Sequence, residues 1–335
     1  TELGPPGGEP EALSYAQWIE HTLPEWKQLT TPVAHSMTRA MKQLLEQHAQ
    51  EHPGVGEVAQ GAAQMMDRMA GSLFGMQLGH VLGLLSREVF GYTDTGLPLA
   101  APGQVALLPG AVERFAEDTA LPLDEVRLFL ATRESAYARL FTHVPWLSDR
   151  LLGAVESYAS GISIDLERLE SVLRELDPPS PEGLREALAS GVFTPVLNDS
   201  QKLALQALET ALALGEGWVA HVTGAALARN LPDVASLSEM TRRRRAVGGP
   251  AEHAMATLVG LELRPRRARQ AETLWRTVTQ EAGPLERDRL WSHPDLLPSA
   301  EDLDQPESFL ERQAQRDQAD EALDAEIAAF FDQNE

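Results

Sequence analysis

Apolar residues recur every three or four positions along most of this 335-residue chain, in stretches that proline and glycine separate. This spacing places them on one face of an α-helix, whereas a half-buried strand needs strict alternation of apolar and polar residues. Alternating β-branched segments are scarce, and residues 105–108 are the best candidate for a strand. The pattern predicts a mostly α fold, a single helical body with few short strands.

Three segments differ from that predicted body, which we place at residues 14–300. Residues 1–13 are rich in glycine, proline and glutamate, a composition that predicts a disordered lead-in. Residues 165–200 contain a proline-rich break and are a candidate peripheral insertion within the body. Residues 301–335 carry many more carboxylates than arginines, which predicts an acidic C-terminal helix or tail.

The charge and the cysteine count exclude several classes of partner and site. The chain has 28 basic and 50 acidic residues, a formal net charge of −22, which disfavours binding to nucleic acid or to an anionic membrane. It has no cysteine, so only His, Asp or Glu could hold a metal ion. Because no signal peptide opens the printed sequence, we expect a cytoplasmic protein.

Four glycines recur at four-residue intervals in the uncharged segment 69–85, at positions 71, 75, 79 and 83. A helix formed there has one face of nearly bare backbone, which another helix could approach closely. The apolar run is shorter than the roughly 20 residues that span a bilayer. We therefore expect a core helix that packs tightly along its glycine face.

The helix predicted around residue 133 carries polar groups on its inward face. Its apolar stripe includes Arg133 and Tyr137, four residues apart. The order Arg133-Glu134-x-x-Tyr137 has the frame of the H-E-x-x-H motif, in which two His hold zinc and the Glu activates a water molecule. Both metal ligands of that motif are replaced here. The alternative is that the Arg133 stem lies on the core and its guanidinium reaches water.

A second inward-facing charge, Glu216, lies on the apolar stripe of the helix predicted for residues 203–229. Because a buried carboxylate is unfavourable without a partner, we predict that Glu216 accepts two parallel hydrogen bonds from Arg133. Glu134 could lie nearby, and His221 is a further candidate for the same pocket, although it lies roughly 140° around the helix from Glu216. Equally, the ion pair could serve only to join two helices.

Two other motifs have an ordinary interpretation. The stretch from His48 to His52 matches the inverted zinc motif H-x-x-E-H, but it lies at the polar end of a predicted helix and lacks a third ligand. The basic run Arg242–Arg245 cannot share one helix face, and an intramolecular role is favoured over nucleic-acid binding.

The segment 121–152 resembles the signature of the zincin-like metallopeptidase family, some members of which carry labels linked to deazaflavin cofactor biosynthesis or to hydrolases. Other segments within residues 70–306 are also similar to that family: Phe74-Gly-Met-Gln-Leu-Gly-His-Val-Leu-Gly-Leu-Leu-Ser-Arg, Gly215-Glu-Gly-Trp-Val, Arg242-Arg-Arg-Arg-Ala-Val-Gly-Gly-Pro-Ala-Glu, Gly260-Leu-Glu-Leu-Arg-Pro-Arg and Trp291-Ser-His-Pro-Asp-Leu-Leu-Pro. The resemblance implies a zincin-like body. It also implies that the His ligands of zinc-binding relatives fall at Arg133 and Tyr137, the acid/base at Glu134, and a third ligand at Glu216.

These observations predict a zincin-like homologue with a degenerate metal site, Arg-Glu-Ser-Ala-Tyr in place of H-E-x-x-H. We expect no metal or other cofactor, no peptidase activity, and a peptide or protein partner bound in or near the former cleft. The alternative is an active metal-dependent hydrolase that uses Glu134 with a non-standard metal site, built from residues such as Glu216 and His221. A third interpretation is a structural protein that self-associates, and the sequence leaves the oligomeric state open.

Overall fold

The structure is a computed structural model that describes residues 3–51, 71–72, 74–162, 197–261, 264–316 and 318. Helices dominate these residues, and two short parallel strands, β1 (Pro10–Ala12) and β2 (Val105–Leu107), form a small sheet. The prediction of a mostly α body with few strands is confirmed. The helices are α1 (Tyr15–Glu51), α2 (74–85), α3 (Pro109–Thr119), α4 (Leu123–His143), α5 (Pro145–Ser160), α6 (Asp199–Leu227), α7 (Val234–Val247), α8 (Pro250–Val259), α9 (Ala268–Arg289), α10 (Ala300–Asp304) and α11 (309–316).

Local chemistry sets several of the helix boundaries. Before α6, the Asn198 side chain accepts a hydrogen bond from the Gln201 amide at 2.8 Å, and the Gln201 side chain accepts one from the Asn198 amide at 3.1 Å, so each satisfies a donor that the first turn leaves free. Pro145 and Pro250 occupy the first turns of α5 and α8, where the missing N–H costs nothing. Gly248 ends α7 with a φ of 70°, a conformation that glycine adopts without strain.

Helix α6 is the centre of the body and packs against α4, α5 and α9. Every residue from Ala211 to Val219 is buried, so this part of the helix is enclosed on all sides rather than on one face. At Gly217 the approach of α9 is very close, because a Cβ there would lie 2.6 Å from the Cβ of Ala271. The glycine therefore allows α6 and α9 to pack backbone against backbone.

The N-terminal segment contradicts the prediction of a disordered lead-in over residues 1–13. Its residues 10–12 form β1 and pair in parallel with β2, while the Gly8 amide donates to the Gly103 carbonyl at 3.0 Å and the Leu13 amide to the Leu107 carbonyl at 2.9 Å. The strand side chains are exposed, so backbone hydrogen bonds, which composition does not encode, hold the strand itself. Leu13, the residue after the strand, is buried in the core and anchors the end of the segment.

The C-terminal segment begins as part of the body. Leu303 and Phe309 are buried, and the buried carboxylate of Asp302 accepts hydrogen bonds from Arg312 at 3.0 Å and Arg316 at 3.3 Å. Of the predicted acidic tail, residues 317 and 319–335 lie outside the described residues, as do residues 165–196 of the predicted insertion 165–200.

The glycine-rich helix is placed differently from the prediction. In α2 and the residues before it, Gly71, Gly75 and Gly79 are exposed. Apart from the adjoining residues and the nearby backbone of the same helix, no described atom lies within 4 Å of a Cβ built on any of them or on Gly83. Among the residues that the structure describes, nothing packs closely along this face, and the helix buries the opposite stripe, Leu78, Val81, Leu82 and Leu85. Within the described residues, no helix combines the length and the apolar character that crossing a membrane requires.

Candidate functional site

The structure brings Arg133 of α4 and Glu216 of α6 into direct contact. The Arg133 Nη2 lies 2.6 Å from both carboxylate oxygens of Glu216, and the Tyr137 hydroxyl donates to Glu216 Oε2, also at 2.6 Å. We call these three residues the Arg133–Glu216 cluster. The predicted partner is therefore correct, but one nitrogen serves both oxygens, instead of two nitrogens making two parallel bonds.

The cluster is buried, and its charges hold one another in the ionised state. Arg133 is 5% exposed and Glu216 3% exposed, so the outward, snorkelling conformation of Arg133 is not adopted. Burial alone would raise the pKa of Glu216, but the positive charges of Arg133 and Arg245 outweigh burial and lower it. Burial raises the pKa of Tyr137 well above its ordinary value, and the neighbouring Glu216 raises it further, so Tyr137 stays a hydrogen-bond donor.

Glu134 points away from the cluster and binds a loop instead. Its Oε1 accepts hydrogen bonds from the amides of Tyr92 at 2.8 Å and Thr93 at 3.2 Å, and its Oε2 accepts one from the Thr93 hydroxyl at 2.6 Å. Burial raises the pKa of Glu134 to about 7, although the hydrogen bonds from Thr93 oppose that rise. The candidate catalytic carboxylate therefore fastens residues 90–96, the 90–96 loop, to α4.

Two glycines let the 90–96 loop lie against α4. A Cβ on Gly91 would clash with the Ala106 carbonyl oxygen and lie 2.7 Å from Glu134 Oε2. Gly96 has a φ of 76°, and a Cβ there would lie 3.4 Å from the Tyr137 hydroxyl. The loop thus covers the Glu134 carboxylate and the Tyr137 hydroxyl of α4, and any larger residue at position 91 would displace the Glu134 carboxylate.

The arginine run of α7, residues 242–245, contacts the 90–96 loop through Arg244 and Arg245. Arg244 Nη1 lies 3.1 Å from Asp94 Oδ2, and its guanidinium stacks 4.1 Å from the centre of the Phe90 ring. Arg245 is buried, donates to the Thr95 carbonyl at 2.7 Å, and pairs with Glu252 at 2.9 Å. Arg242 and Arg243 pair with acids of α7 and α9. All four arginines make intramolecular ion pairs, as the favoured interpretation expected.

His221 belongs to a different part of the body. Its Nε2 lies 3.0 Å from the Thr279 hydroxyl on α9, because five residues along α6 turn the side chain away from Glu216. Burial, together with the charges of Arg287 and Arg276, lowers the pKa of His221 to about 4. The structure therefore does not bring His221 to the Arg133–Glu216 cluster.

No three His, Asp or Glu side chains converge as they would around a metal ion, within the residues whose positions the structure describes. Of the H-x-x-E-H stretch, His48 to Glu51 lie at the end of α1 and His52 lies outside the described residues.

Sequence reasoning missed the contributions of Thr93, Asp94 and Arg245. The stretch Gly91-Tyr-Thr-Asp-Thr-Gly has the composition of a turn, which predicts the loop but does not reveal its partner. The four consecutive arginines indicated that some must be exposed, yet nothing in the run itself distinguishes the buried Arg245 from its neighbours.

The chain belongs to the zincin-like metallopeptidase family, since a sequence profile of that family matches residues 1–310. Among solved structures, the chain is similar to a protein from Chloroflexus aurantiacus whose crystal structure is described as that of a "putative hydrolase with a novel fold". The two chains are 19% identical over 93% of this chain and 82% of the other, with a TM-score of 0.61, so they share a fold. No curated protein matches the chain.

Proposed function

We propose that this chain is a non-catalytic member of its family, in which a buried ion pair replaces the metal centre, and that it acts by binding a peptide or protein partner. The observation that carries the proposal is the engagement of Glu216. Both of its oxygens accept hydrogen bonds, from Arg133 and from Tyr137, so a metal ion that approached Glu216 would compete with these donors and would be repelled by the positive charge of Arg133.

The residues present do not fit the zinc that the family implies. Zinc in such sites is held by neutral imidazoles and carboxylates, whereas Arg133 offers only donors and a positive charge. Tyr137 is held in its protonated form by the raised pKa. Of the three positions that the family resemblance assigns to ligands, only Glu216 has a ligating side chain, and we derive no metal-dependent step.

Burial of the cluster determines where a partner could bind. With exposed fractions of 5% and 3%, Arg133 and Glu216 are too deeply buried to touch a partner in this conformation. The cluster would therefore stabilise the surrounding surface, and residues of that surface would contact the partner. This arrangement favours binding beside the former cleft rather than inside it.

An active hydrolase is the second candidate, and the pKa of Glu134 favours it. A carboxyl with a pKa of about 7 is poised as a general base near neutral pH. However, both oxygens of Glu134 accept hydrogen bonds from the 90–96 loop. Hydrolysis through Glu134 would therefore require release of the loop and a metal site built from other residues.

Zinc retention separates the two candidates. The purified chain is incubated with zinc, dialysed against a weak chelator and analysed by elemental mass spectrometry, with cleavage of a fluorogenic peptide library measured in parallel. We expect the wild-type chain to retain no stoichiometric zinc and to cleave no peptide. Stoichiometric zinc together with metal-dependent cleavage would refute the proposal and support the hydrolase.

A matched set of variants tests whether the ligand geometry survives. The double variant Arg133→His/Tyr137→His should gain near-stoichiometric zinc if Glu216 is positioned as a third ligand. Adding Glu216→Gln to the double variant should abolish that gain, and circular dichroism should show that each variant is folded. A folded double variant that binds no zinc would refute the idea that Glu216 is positioned as a third zinc ligand.

A further inference from the structure

A basic region of the surface lies where α7 meets the first turns of α9. Residues 239–276 carry nine arginines and four glutamates, a net charge of +5, whereas the whole chain has a formal net charge of −22. At physiological ionic strength, salt screens exposed charges beyond about 8 Å. A partner therefore responds to the charges near its contact more than to the total charge, and a local excess of positive charge can attract an acidic group.

Three arginines of this region converge on one carboxylate, that of Glu239. Arg243 Nε lies 2.8 Å from Glu239 Oε1, and Arg269 Nη2 lies 3.0 Å from both oxygens. Arg242 Nη1 lies 2.5 Å from Glu239 Oε2, and its Nη2 pairs with Glu272. We call these five residues the Glu239 patch. It contains three positive and two negative charges.

The shared carboxylate holds two guanidinium groups close together. Because Arg243 Nε and Arg269 Nη2 both contact Glu239 Oε1, at 2.8 and 3.0 Å, these nitrogens are no further apart than the sum of the two distances. Like charges at such a separation repel each other, and exposed ion pairs contribute little to stability. A second carboxylate that contacted both guanidinium groups would relieve the repulsion.

The same two arginines have donors to offer such a carboxylate. Arg243 is 76% exposed and Arg269 66% exposed, against 20% for Arg242. Within the part of the chain that the structure describes, Arg243 donates only through Nε and Arg269 only through Nη2, although a guanidinium has five N–H groups. Both can therefore bind a carboxylate from outside and keep their bonds to Glu239.

The Glu239 patch adjoins the former cleft through α7. The next two residues of that helix, Arg244 and Arg245, contact Asp94 and Thr95 of the 90–96 loop. A partner on the patch would lie beside the former cleft, as the proposed function expects. An extended nucleic acid suits this surface poorly, since its phosphates beyond the patch would meet the acidic remainder of the chain.

We propose that the Glu239 patch binds an acidic segment of a peptide or protein partner, with an Asp or Glu carboxylate held between Arg243 and Arg269. The inference rests on the proposed function and adds the chemical class of the partner. Among the described residues, Arg242, Arg243 and Arg269 hydrogen-bond only to carboxylates, those of Glu239 and Glu272. The partner would supply one more group of the same kind.

The test measures binding of a labelled peptide to the full-length chain by fluorescence anisotropy at physiological ionic strength. The probe is a fluorescein-labelled octapeptide with four consecutive Asp and Glu residues between Gly-Ser ends. The matched probe replaces each Asp by Asn and each Glu by Gln, so it keeps the shape without the charge. We expect saturable binding of the acidic probe, weakened by added salt, and no binding of the neutral probe.

Two double variants show where the acidic probe binds. Arg243→Gln/Arg269→Gln should weaken its binding by about tenfold, because two charge-assisted contacts are lost. Arg242 still pairs with Glu239 in this variant, and circular dichroism should show that it is folded. The control Arg127→Gln/Arg150→Gln removes the same charge from exposed positions of α4 and α5 and should leave binding unchanged.

The other outcomes overturn the inference. Equal binding of the acidic and neutral probes, or an equal loss in the two double variants, would show that the Glu239 patch does not recognise carboxylates. Tighter binding of the same octapeptide with phosphoserine in place of its acids would assign the patch to phosphate groups.

A full-length variant in which the six acids of residues 319–335 are replaced by amides tests the chain's own tail as the occupant. If the acidic probe binds this variant and not the wild-type chain, the patch belongs to the tail and the inference is refuted. Failure here is distinct from failure of the proposed function, because zinc retention and peptide cleavage by the wild-type chain do not depend on the Glu239 patch.

Discussion

Arg133→Ala is expected to lower the free energy of unfolding by about 3–5 kcal/mol at neutral pH, because it leaves the buried carboxylate of Glu216 without its positively charged partner. Glu216 is 3% exposed and loses both contacts with Arg133, each at 2.6 Å. One hydrogen bond, from Tyr137, remains. A single neutral donor compensates only part of the desolvation of an ionised group, so the loss exceeds that of an ordinary hydrogen bond.

The pH dependence of the same variant gives a second readout. In the wild-type chain burial acts to raise the pKa of Glu216, but Arg133 and Arg245 outweigh it and lower the pKa below 4.5. A carboxyl with a lowered pKa stabilises the folded state above its unfolded pKa, and this stability is lost as the pH falls through the folded pKa. Without Arg133 we expect burial to dominate, so the destabilisation should shrink as acid protonates Glu216.

Urea denaturation followed by circular dichroism measures both effects. The matched control is Arg127→Ala on the same helix, because Arg127 is 45% exposed and pairs with Glu113 at 3.4 Å and Asp124 at 3.5 Å. Exposed pairs of this kind are worth under about 1 kcal/mol. If Arg133→Ala costs no more than Arg127→Ala, Glu216 does not depend on Arg133 and the assignment of a buried ion pair is refuted.

Two further predictions concern the 90–96 loop and the glycines. Burial raises the pKa of Glu134 to about 7, so the unfolding free energy should fall as the pH rises from about 4.5 to about 7. Glu134→Gln should flatten that profile in urea denaturation at a series of pH values, and an equal slope in both proteins would contradict the pKa. Gly91→Ala should destabilise by roughly 1–3 kcal/mol because its Cβ meets Glu134 and the Ala106 carbonyl. Gly79→Ala on an exposed helix face should be neutral or stabilise by about 0.4–1 kcal/mol, and thermal melts that rank the two alike would refute the packing argument.

The sequence predicted the fold class and the contact between Arg133 and Glu216, because both follow from helical periodicity. An inward position on a helix is determined by spacing alone, and a buried charge of each sign then requires a partner. The same reasoning explains why His221 was uncertain, since five residues along a helix turn a side chain to another face. Periodicity therefore identified which residues are buried and which of them can meet.

What the sequence did not predict depends on contacts between segments far apart in the chain. Glu134 was expected near the cluster, but its partners are the amides of Tyr92 and Thr93, more than 40 residues earlier. Residues 10–12 likewise form the strand β1 through backbone pairing with β2. Neither arrangement leaves a periodic signal, because backbone donors are the same at every residue.

The glycines on either side of Glu216 determine how this centre could change. Gly217 lies against the backbone of α9, and Gly215 lies beside Leu140 and Tyr137 of α4, so close packing on both sides of Glu216 constrains the path of α6. The carboxylate would keep its place between the helices if Arg133 were exchanged. If the proposed function is correct, an ionic joint and a ligating centre would differ here only in the side chains of α4, and the backbone of α6 would serve both.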